Sequence, residues 1–339
     1  MQKKAVILIN TGSPDSFQIR DVRCYLSQFL NDKRVINLPY ILRKFIVNLI
    51  IVPFRAPKSA VKYKQIWTKN GSPLIVHTQN LVNKLQKKID DDTTVFFAMR
   101  YGNPSIKSVL SKIKESDFEH LTILPLFPQY ASSTTGSIYE YIFNSIKDWN
   151  TFPSINFINQ FYDNPQFINA FVNRIKSYQP EKFEHIIFSF HGLPLSHLDN
   201  VHPKIPNKIC NCKKMMPITG HGKFCYKACC YEMSRLLAKS LNLNHDQFTI
   251  SFQSRMTKNW ISPFTDEIIA SKAKAGVKNI LVVAGSFVAD CLETTLELGV
   301  EYSAIFKTNG GENLQLVESL NDSDDWVNAL IAIIHDEIV

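Results

Sequence analysis

The stretch HIIFSFHGLP, residues 185–194, predicts the end of a buried β-strand and the loop that follows it. A mostly apolar run ends at Phe190, and Gly192 and Pro194 follow, as at the end of a core strand in a parallel sheet. In open α/β sheets, ligands bind at the carboxyl ends of the strands. His191 therefore stands where a ligand would bind and where a side chain that titrates near neutral pH is useful. A histidine that merely closes a hydrogen bond in a loop is the alternative.

Similar apolar runs, each bounded by turn residues, recur along the chain. They lie at residues 5–9, 95–99, 121–127, 155–158, 186–190, 248–252 and 280–283. Stretches with the spacing of amphipathic helices separate several of them, and this alternation is typical of α/β proteins with parallel sheets. The chain has 339 residues, more than a single hydrophobic core usually supports, so two domains are expected.

The two halves of the chain show the same pattern of loops. In each half, one strand ends in a polar or basic loop, and a helix follows it. A second strand comes next and ends in a loop of small residues. These loops are MRYGNPS at 99–105, SFQSRMTKNW at 251–260, LFPQYASSTTGS at 126–137 and AGSFVADCLET at 284–294. This repeated pattern predicts two similar doubly wound, Rossmann-like domains with parallel sheets that face each other across a cleft. We place them at 1–150 and 151–324, and we expect an amphipathic helix, 325–339, to pack back on the first.

The charge pattern and the apolar segments indicate which partners and which cellular location the sequence favours. A net charge of +8 would suit an anionic membrane surface or an acidic small molecule, but the lysines are scattered, which argues against nucleic acid. The run at 5–9 is too short for a signal peptide, and charges and Pro53 interrupt the longest apolar stretch, 40–54. A cytoplasmic location is therefore expected, in which the cysteines are thiols or metal ligands rather than disulfides. No G-x-S-x-G, P-loop or G-x-G-x-x-G pattern indicates a hydrolase or a nucleotide-binding enzyme.

Four acidic residues follow the last of these strands: Asp290, Glu293, Glu297 and Glu301. Their spacing places them along one helix face, where like charges repel unless a cation, a proton or a partner offsets them. Such a row facing a histidine would suit the passage of a divalent cation or of protons. The alternative is an ordinary helix start, in which the first acids favour the helix dipole and the later ones are solvated.

Five of the seven cysteines crowd into one short stretch of the chain. They are Cys210, Cys212, Cys225, Cys229 and Cys230. Four thiolates could bind zinc or an iron–sulfur cluster, and their spacing alone does not choose between the two. Unrelated buried thiols are the alternative.

Taken in order, these loops resemble the ferrochelatases, enzymes that insert ferrous iron into a porphyrin in haem synthesis. The motifs are LINTGSPDS at 8–16, YKQIWTKNGSPL at 63–74, MRYGNPSI at 99–106, LPLFPQYASSTTGS at 124–137, FSFHGLP at 188–194, SFQSR at 251–255, NWISPFTDE at 259–267 and ADCLETTLELGVEY at 289–302. The resemblance covers nearly the whole chain. It implies two doubly wound domains around a porphyrin cleft, with protoporphyrin IX and Fe²⁺ as substrates and protohaem as product. Likeness to Gram-negative members implies protoporphyrin rather than coproporphyrin.

The resemblance also implies roles for individual residues. His191 would take the pyrrole protons, and Glu293 with Asp290 would either carry protons away or guide the iron. His191 and Glu293 would be the ligands of the substrate Fe²⁺. The residues implied to bind the porphyrin are Thr11, Ser13, Arg55, Arg100, Tyr101, Tyr130, Ser132, Ser133, Thr134 and Trp260.

Certain bacterial ferrochelatases hold a [2Fe-2S] cluster in an internal cysteine-rich insertion after the HGLP strand, and residues 202–230 resemble that insertion. The implied ligands are Cys210, Cys212, Cys225 and Cys229, with Cys230 as the substitute. Where animal members have a second histidine before the glutamate, this chain has Cys291. A mechanism that needs two histidines is therefore not expected here, and Cys291 would either bind Fe²⁺ or be buried as a small apolar residue.

Residues 40–54 correspond to the apolar lip of the family's active site. Their apolar side chains, flanked by Arg43, Lys44 and Arg55, would suit peripheral contact with a membrane that stores the apolar porphyrin. A buried helix face is the alternative. Arg55 could instead pair with a porphyrin propionate.

Two other functions are compatible with parts of this pattern. One is a related chelatase that loads cobalt or nickel into another tetrapyrrole, and porphyrin motifs in both halves argue against it. The other is a non-catalytic iron–sulfur sensor or haem carrier. The coexistence of His191 with the acidic row favours catalysis over that second alternative.

Overall fold

The computed structural model describes residues 3–201 and 220–336. Its first buried run forms β1, Lys4–Asn10, the strand at the centre of a four-stranded parallel sheet. The other strands are β2 Thr93–Met99, β3 His120–Pro125 and β4 Ser154–Phe157, and the order is β2-β1-β3-β4. From Ala5 onward every residue of β1 is buried, because helices cover both faces of a parallel sheet.

The helices around this sheet include two of the π type. They are α1 Ile19–Leu30, α2 Tyr40–Phe45, the π-helix Ile46–Ile51, α3 Val52–Ile66, α4 Pro73–Gln86, α5 Ile106–Lys114, the π-helix Ser132–Gly136, α6 Ser137–Ile146 and α12 Asp324–Asp336. Helix α5 shows why such segments form. The Ser105 side chain accepts the N–H of Ser108 as an amino-terminal cap, and Ile106, Val109, Leu110 and Ile113 are buried at helical spacing.

A second four-stranded parallel sheet follows in the chain. Its strands are β5 His185–His191, β6 Phe248–Gln253, β7 Asn279–Ala284 and β8 Asn313–Val317, in the order β6-β5-β7-β8. Its helical segments are α7 Pro165–Lys176, the short 3₁₀ turn Pro180–Lys182, α8 Leu195–Val201, a second 3₁₀ turn Gly220–Phe224, α9 Tyr226–Ser240, α10 Thr265–Lys274, the π-helix Leu292–Glu301 and α11 Tyr302–Thr308. Strand β5 lies between β6 and β7, so the end of the HGLP strand is flanked by two other strand ends.

The two sheets have the same strand connectivity, which confirms the prediction of two similar parallel α/β halves. The loops that follow corresponding strands in the two halves are also alike. Pro104 after β2 and Pro263 after β6 both follow cis peptide bonds, and their carbonyl oxygens accept the N–H groups of Met99 and Phe252 at 2.7 and 2.8 Å. The sequence did not reveal β8, because polar residues interrupt its apolar ones at a sheet edge.

The described residues divide into two compact units. The first takes the residues up to Phe127, Ser132–Gln160 and the residues from Asp322 on, and the second takes Pro128–Ala131 and Phe161–Asn321. The boundary that we placed at residue 150 precedes β4, whereas β4 pairs with β3 in the first sheet. Within the described segments, none of the helices combines the length and the apolar character that crossing a membrane requires.

Candidate functional site

His191 is the last residue of β5, and its backbone is held on both sides. Its N–H donates to the Ser286 hydroxyl at 3.1 Å, and its carbonyl accepts from the Tyr226 hydroxyl at 2.8 Å. The oxygens of Tyr226 and Ser286 lie 2.8 Å apart. Tyr226 is buried, and burial raises the pKa of its hydroxyl, which therefore stays protonated and can donate.

The imidazole of His191 has a defined orientation. Its Nδ1 lies 2.7 Å from the carbonyl oxygen of Gly192. Because a carbonyl can only accept, Nδ1 carries the hydrogen, which leaves Nε2 as the ring nitrogen that can accept a proton. The ring of Phe287 lies edge-on to the imidazole at 6.1 Å, and the Trp260 ring lies 6.5 Å away. Half-buried, and with Nε2 as the proton-accepting atom, the ring can act as a general base.

The loop after His191 is packed too closely for any other residue at position 192. A Cβ on Gly192 would lie 2.7 Å from the Gln253 carbonyl oxygen and 3.3 Å from the Trp260 ring. Trp260 is in place because the chain around it pairs with the HGLP loop, where Ile261 donates its N–H to the Leu193 carbonyl oxygen at 2.9 Å. The two motifs are distant in sequence but share one small region of the second unit.

Gln253 is a site residue that the sequence did not single out. Its side chain, 1% exposed, accepts from the Ser189 hydroxyl at 3.0 Å and donates to the Glu293 carbonyl oxygen at 3.1 Å. Its own carbonyl oxygen accepts the N–H of Gly192 at 2.8 Å. Gln253 therefore joins the end of β6 to the HGLP loop and to the acidic helix. Only its place in the SFQSR motif could have indicated this role.

Three of the four acids in the predicted row, Glu293, Glu297 and Glu301, lie on a π-helix, Leu292–Glu301, whereas Asp290 precedes it. Hydrogen bonds of the i→i+5 type give this helix more than four residues per turn, so acids spaced four apart lie almost one above another. Glu293, Glu297 and Glu301 are all half-buried. Glu297 accepts from the Ser254 hydroxyl at 2.5 Å and from the Tyr302 hydroxyl at 2.8 Å. π-Helical turns occur frequently at functional sites.

Asp290, which precedes this helix, has its carboxylate engaged by neighbouring groups. One oxygen accepts the Ser319 N–H at 3.1 Å and the Thr294 hydroxyl at 3.3 Å, and the other accepts from the Asn321 amide at 2.8 Å. The Asp290 N–H in turn donates to Asn321 at 2.8 Å. These contacts hold the loop before the π-helix, and they leave Asp290 fewer acceptor positions for a proton or a metal ion.

Cys291 caps the amino terminus of the same π-helix. Its sulfur accepts the N–H of Thr294, and its own N–H donates to the Thr294 hydroxyl at 2.9 Å. Cys291 is buried, and burial and the neighbouring Glu293 carboxylate both raise the pKa of its thiol. Of the two roles left open for Cys291, the structure supports the buried one.

In the first unit, Asp32 is the centre of a buried network that contains two of the implied porphyrin residues. One carboxylate oxygen accepts from Arg100 at 2.7 Å, from the Tyr101 hydroxyl at 2.9 Å and from the Ser137 hydroxyl at 2.5 Å. The other accepts the N–H of Arg34 at 2.7 Å. Burial by itself would raise the pKa of Asp32, but the hydrogen bonds and the Arg100 charge outweigh it and keep that pKa below its usual range.

This network limits what its members can offer a ligand. Tyr101 is 2% exposed, so its ring has little free surface. The Arg100 guanidinium, partly exposed, also lies over the rings of Tyr101 and Tyr141 at 4.6 and 4.5 Å. Gly12 allows the first loop to approach this place, since a Cβ there would lie only 1.7 Å from the Tyr101 carbonyl oxygen.

The other implied porphyrin residues differ in exposure. Thr11, Tyr130, Ser132, Ser133, Thr134 and Trp260 are half-buried, and Arg55 is exposed. The Ser132 hydroxyl accepts from Arg34 at 2.8 Å. Ser13 is 3% exposed, and its hydroxyl has no hydrogen-bond partner among the residues the structure describes.

Three of the five clustered cysteines belong to the described residues, and Cys210 and Cys212 lie outside them. Cys225, Cys229 and Cys230 are buried at the start of α9, and none of the three forms a disulfide bond within the described residues. Cys225 and Cys229 are one turn apart on the same face, whereas Cys230 hydrogen-bonds to Tyr226. Within residues 3–201 and 220–336, no three His, Cys, Asp or Glu side chains form a group able to hold a metal ion. The Cys225 and Cys229 thiols are of the type that binds soft metals, and a four-thiolate site would need two further cysteines.

The segment at 40–54 exposes many of its apolar side chains to solvent, whereas Val47, Val52 and the basic Arg43 are buried. The exposed ones are Tyr40, Ile41, Leu42, Phe45, Leu49, Ile50 and Phe54, with exposures between 46% and 82%. Residues 40–69 contain seven lysines and arginines and no acidic residue. We call the exposed apolar side chains of 40–54 the apolar patch.

Three comparisons with known proteins show what the chain is similar to. A family model described as Ferrochelatase matches residues 3–338. A ferrochelatase of Legionella pneumophila (strain Paris) is 44% identical over 337 residues, which cover 99% of this chain and 100% of that protein. A ferrochelatase of Coxiella burnetii (strain Dugway 5J108-111) is 41% identical over 334 residues, 97% of this chain and 92% of the other. The solved structure of SirB from Bacillus subtilis with Fe³⁺ matches this chain with a TM-score of 0.56 at 11% identity. The match covers 99% of this chain and 96% of the SirB chain, and it shows a likeness of fold alone.

Proposed function

The chain belongs to the ferrochelatase family, whose members are metal chelatases of haem synthesis, and from this premise we propose that it inserts ferrous iron into protoporphyrin IX to form protohaem. The observation that carries the proposal is the orientation of His191. Its Nδ1 is bonded to the Gly192 carbonyl oxygen, and Nε2 is left as the proton acceptor.

The free-base porphyrin must lose two pyrrole protons as the metal enters, so the site needs a base of near-neutral type at the macrocycle. In this proposal Nε2 of His191 accepts one pyrrole proton at a time and passes the first to the Glu293 carboxylate before it accepts the second. The aromatic rings of Trp260 and Phe287 beside the imidazole provide apolar surface for the flat ring system.

We assign Glu293 to the transfer of protons or the guidance of Fe²⁺. His191 and Glu293 would be the ligands of the incoming iron, which His191 can bind only while Nε2 carries no proton. The half-buried carboxylates of Glu297 and Glu301 on the same π-helix support a path for either. For Asp290 the contacts with Ser319, Asn321 and Thr294 favour a positioning role for this helix. Iron-dependent quenching of protein fluorescence in Glu293→Gln distinguishes these two roles. If Glu293 binds iron, the variant should bind iron more weakly, and if Glu293 only transfers protons, its iron affinity should be unchanged.

In the first unit, we propose that the loops at Thr11, Arg100 and Ser132–Thr134 bind the porphyrin, and that Arg55 pairs with a propionate. Tyr101 would act by holding Arg100 through Asp32, since its own ring is buried. Ser13, whose buried hydroxyl is unpaired among the described residues, would offer that hydroxyl as a hydrogen-bond partner to the bound porphyrin. Porphyrin affinity, measured by quenching of tryptophan fluorescence in single alanine variants, tests these assignments one by one.

The cysteines fit a [2Fe-2S] cluster held by Cys225 and Cys229 together with Cys210 and Cys212. Cys230 hydrogen-bonds to Tyr226, and Cys229 hydrogen-bonds to Tyr162 and donates to the Lys223 carbonyl oxygen at 3.3 Å, so we keep Cys229 as the ligand on the resemblance, with Cys230 as the substitute. Such a cluster would supply one-electron redox chemistry or a stabilising cross-link at the start of α9. The measurement is absorption after anaerobic purification, in which sulfide-dependent visible bands that Cys225→Ser removes indicate the cluster. A colourless protein with bound zinc would contradict it.

The test of the function is an anaerobic assay with Fe²⁺ and protoporphyrin IX. We expect the absorption bands of the free-base porphyrin to decay and those of protohaem to appear in proportion to enzyme. A parallel assay with coproporphyrin III tests the choice of substrate. We expect coproporphyrin III to be a poorer substrate than protoporphyrin IX. Binding of protoporphyrin without haem formation would contradict the proposal and favour a binding role.

We also propose that the apolar patch rests on an anionic membrane surface. The exposed side chains supply apolar area, and the surrounding basic residues supply attraction to acidic headgroups. We expect Leu49→Glu to weaken co-sedimentation with phosphatidylglycerol vesicles about tenfold, since it removes apolar contact and adds a negative charge. The control is Ile19→Glu, an exposed aliphatic residue outside the patch, which should bind as the unchanged chain does. Equal binding by both variants would overturn the membrane contact.

A further inference from the structure

We propose that Tyr226 and Ser286 form a clamp that positions His191 for proton abstraction, so that both are positioning residues of the reaction. The proposal rests on the function assigned to His191 above. Neither residue contributes to the porphyrin or metal contacts described so far. Both act, in this account, on the backbone of His191 alone.

The clamp is a closed ring of hydrogen bonds. The His191 N–H donates to Ser286 Oγ at 3.1 Å, and Tyr226 donates to the His191 carbonyl oxygen at 2.8 Å. Since the single Tyr226 hydrogen is used on that carbonyl, the hydroxyl of Ser286 donates to the Tyr226 oxygen, 2.8 Å away. The Ser286 hydroxyl therefore donates once and accepts once. The Tyr226 hydroxyl donates to His191 and accepts from Ser286, and it also contacts the Cys230 thiol.

The ring controls the peptide group that follows His191. The His191 carbonyl and the Gly192 N–H belong to one planar peptide, and Gly192 donates its N–H to the Gln253 carbonyl oxygen at 2.8 Å. Tyr226 from α9 and Gln253 from β6 thus hold opposite edges of that plane. A plane held at both edges cannot rotate freely, whereas one held only by Gln253 can.

The orientation of this peptide decides the direction of the imidazole. The next carbonyl, that of Gly192, accepts from His191 Nδ1 at 2.7 Å and so keeps the hydrogen on Nδ1 and the lone pair on Nε2. Rotation of the plane would move that carbonyl away from the ring. The ring would then populate other orientations and the opposite tautomer, and a smaller fraction of the enzyme would carry a base aimed at the substrate.

The test compares three variants of the full chain under anaerobic steady-state conditions. For Tyr226→Phe, which keeps the ring volume and removes one oxygen, we expect kcat to fall about tenfold with KM changed less than twofold. For Ser286→Ala we expect a fall of about threefold, because the Tyr226 bond to the carbonyl remains. The double variant should be less impaired than the product of the two, since both changes open one ring.

The matched control is Tyr178→Phe, which also removes a hydroxyl from the second unit. That hydroxyl accepts the backbone N–H of Glu318 at 3.2 Å and has no part in the ring. Its kcat should stay within twofold of the unchanged chain. If Tyr226→Phe does not fold, Ser286→Ala still tests the clamp, because it removes a single small oxygen.

A second readout separates positioning from general damage. A ¹⁵N-histidine NMR spectrum of the unchanged chain should show His191 with its hydrogen on Nδ1, and Tyr226→Phe should show a mixture of tautomers. Unchanged kcat and an unchanged tautomer in Tyr226→Phe, or a loss confined to KM, would overturn the clamp. If the unchanged chain makes no haem, the assigned function fails, and the NMR comparison still decides whether the clamp holds.

Discussion

Replacement of His191 by alanine is expected to lower kcat for iron insertion about a thousandfold, within the range typical of a lost general base. Without the imidazole, no group replaces the Nε2 lone pair that the bond between Nδ1 and the Gly192 carbonyl leaves available. Porphyrin binding should change little, because the Trp260 and Phe287 rings remain. The measurement is haem formation under anaerobic conditions, together with the porphyrin dissociation constant from fluorescence quenching.

A matched control for this prediction is His245→Ala, an exposed histidine of the same unit that packs beside Phe248. Its activity should equal that of the unchanged chain. Full activity in His191→Ala would mean that another group takes the pyrrole protons. Loss of porphyrin binding in His191→Ala would instead show that His191 holds the substrate, and the assignment of a base would fall.

Replacement of Asp32 by alanine is expected to reduce the free energy of unfolding by about 3 kcal/mol, as for other broken buried ion pairs. The change leaves the Arg100 guanidinium and the hydroxyls of Tyr101 and Ser137 without the acceptor that they share. Urea unfolding monitored by circular dichroism measures the effect. The control is Asp15→Ala, because Asp15 is exposed and its carboxylate contacts only the Asn103 side chain among the described hydrogen bonds. This change should lower the free energy of unfolding by less than about 0.5 kcal/mol.

The pH dependence of this effect has a definite sign. The folded-state pKa of Asp32 is lowered, so its stabilisation is fully present above the unfolded-state pKa, about 4, and is lost as the pH falls through the folded-state value. The stability difference between the unchanged chain and Asp32→Asn should therefore be constant at neutral pH and shrink below about pH 4. A difference that grew as the pH fell would contradict the assignment of a stabilised carboxylate.

The sequence was sufficient for the fold class and for the approximate positions of seven of the eight strands that the structure describes. Buried runs such as 5–9 and 186–190 have few conformations that satisfy their backbone groups while hiding apolar side chains, so periodicity identifies them. The polar edge strand β8 carries no such signal, and it was missed. His191 could be found because it directly follows a core strand, where the chain itself determines the position of the side chain.

The tertiary structure alone decided which polar groups meet. Asp32 is 68 residues from Arg100, Tyr226 is 35 from His191, and Ser286 is 95 from His191. Nothing local in the sequence distinguishes these residues from ordinary serine, tyrosine or aspartate, because a hydrogen bond depends on the packing of whole strands and helices. The same holds for Asp290, whose place in the acidic row predicted chemistry but whose carboxylate is held by Ser319 and Asn321. Sequence therefore determined the strands and the histidine, while packing determined the partners that orient it.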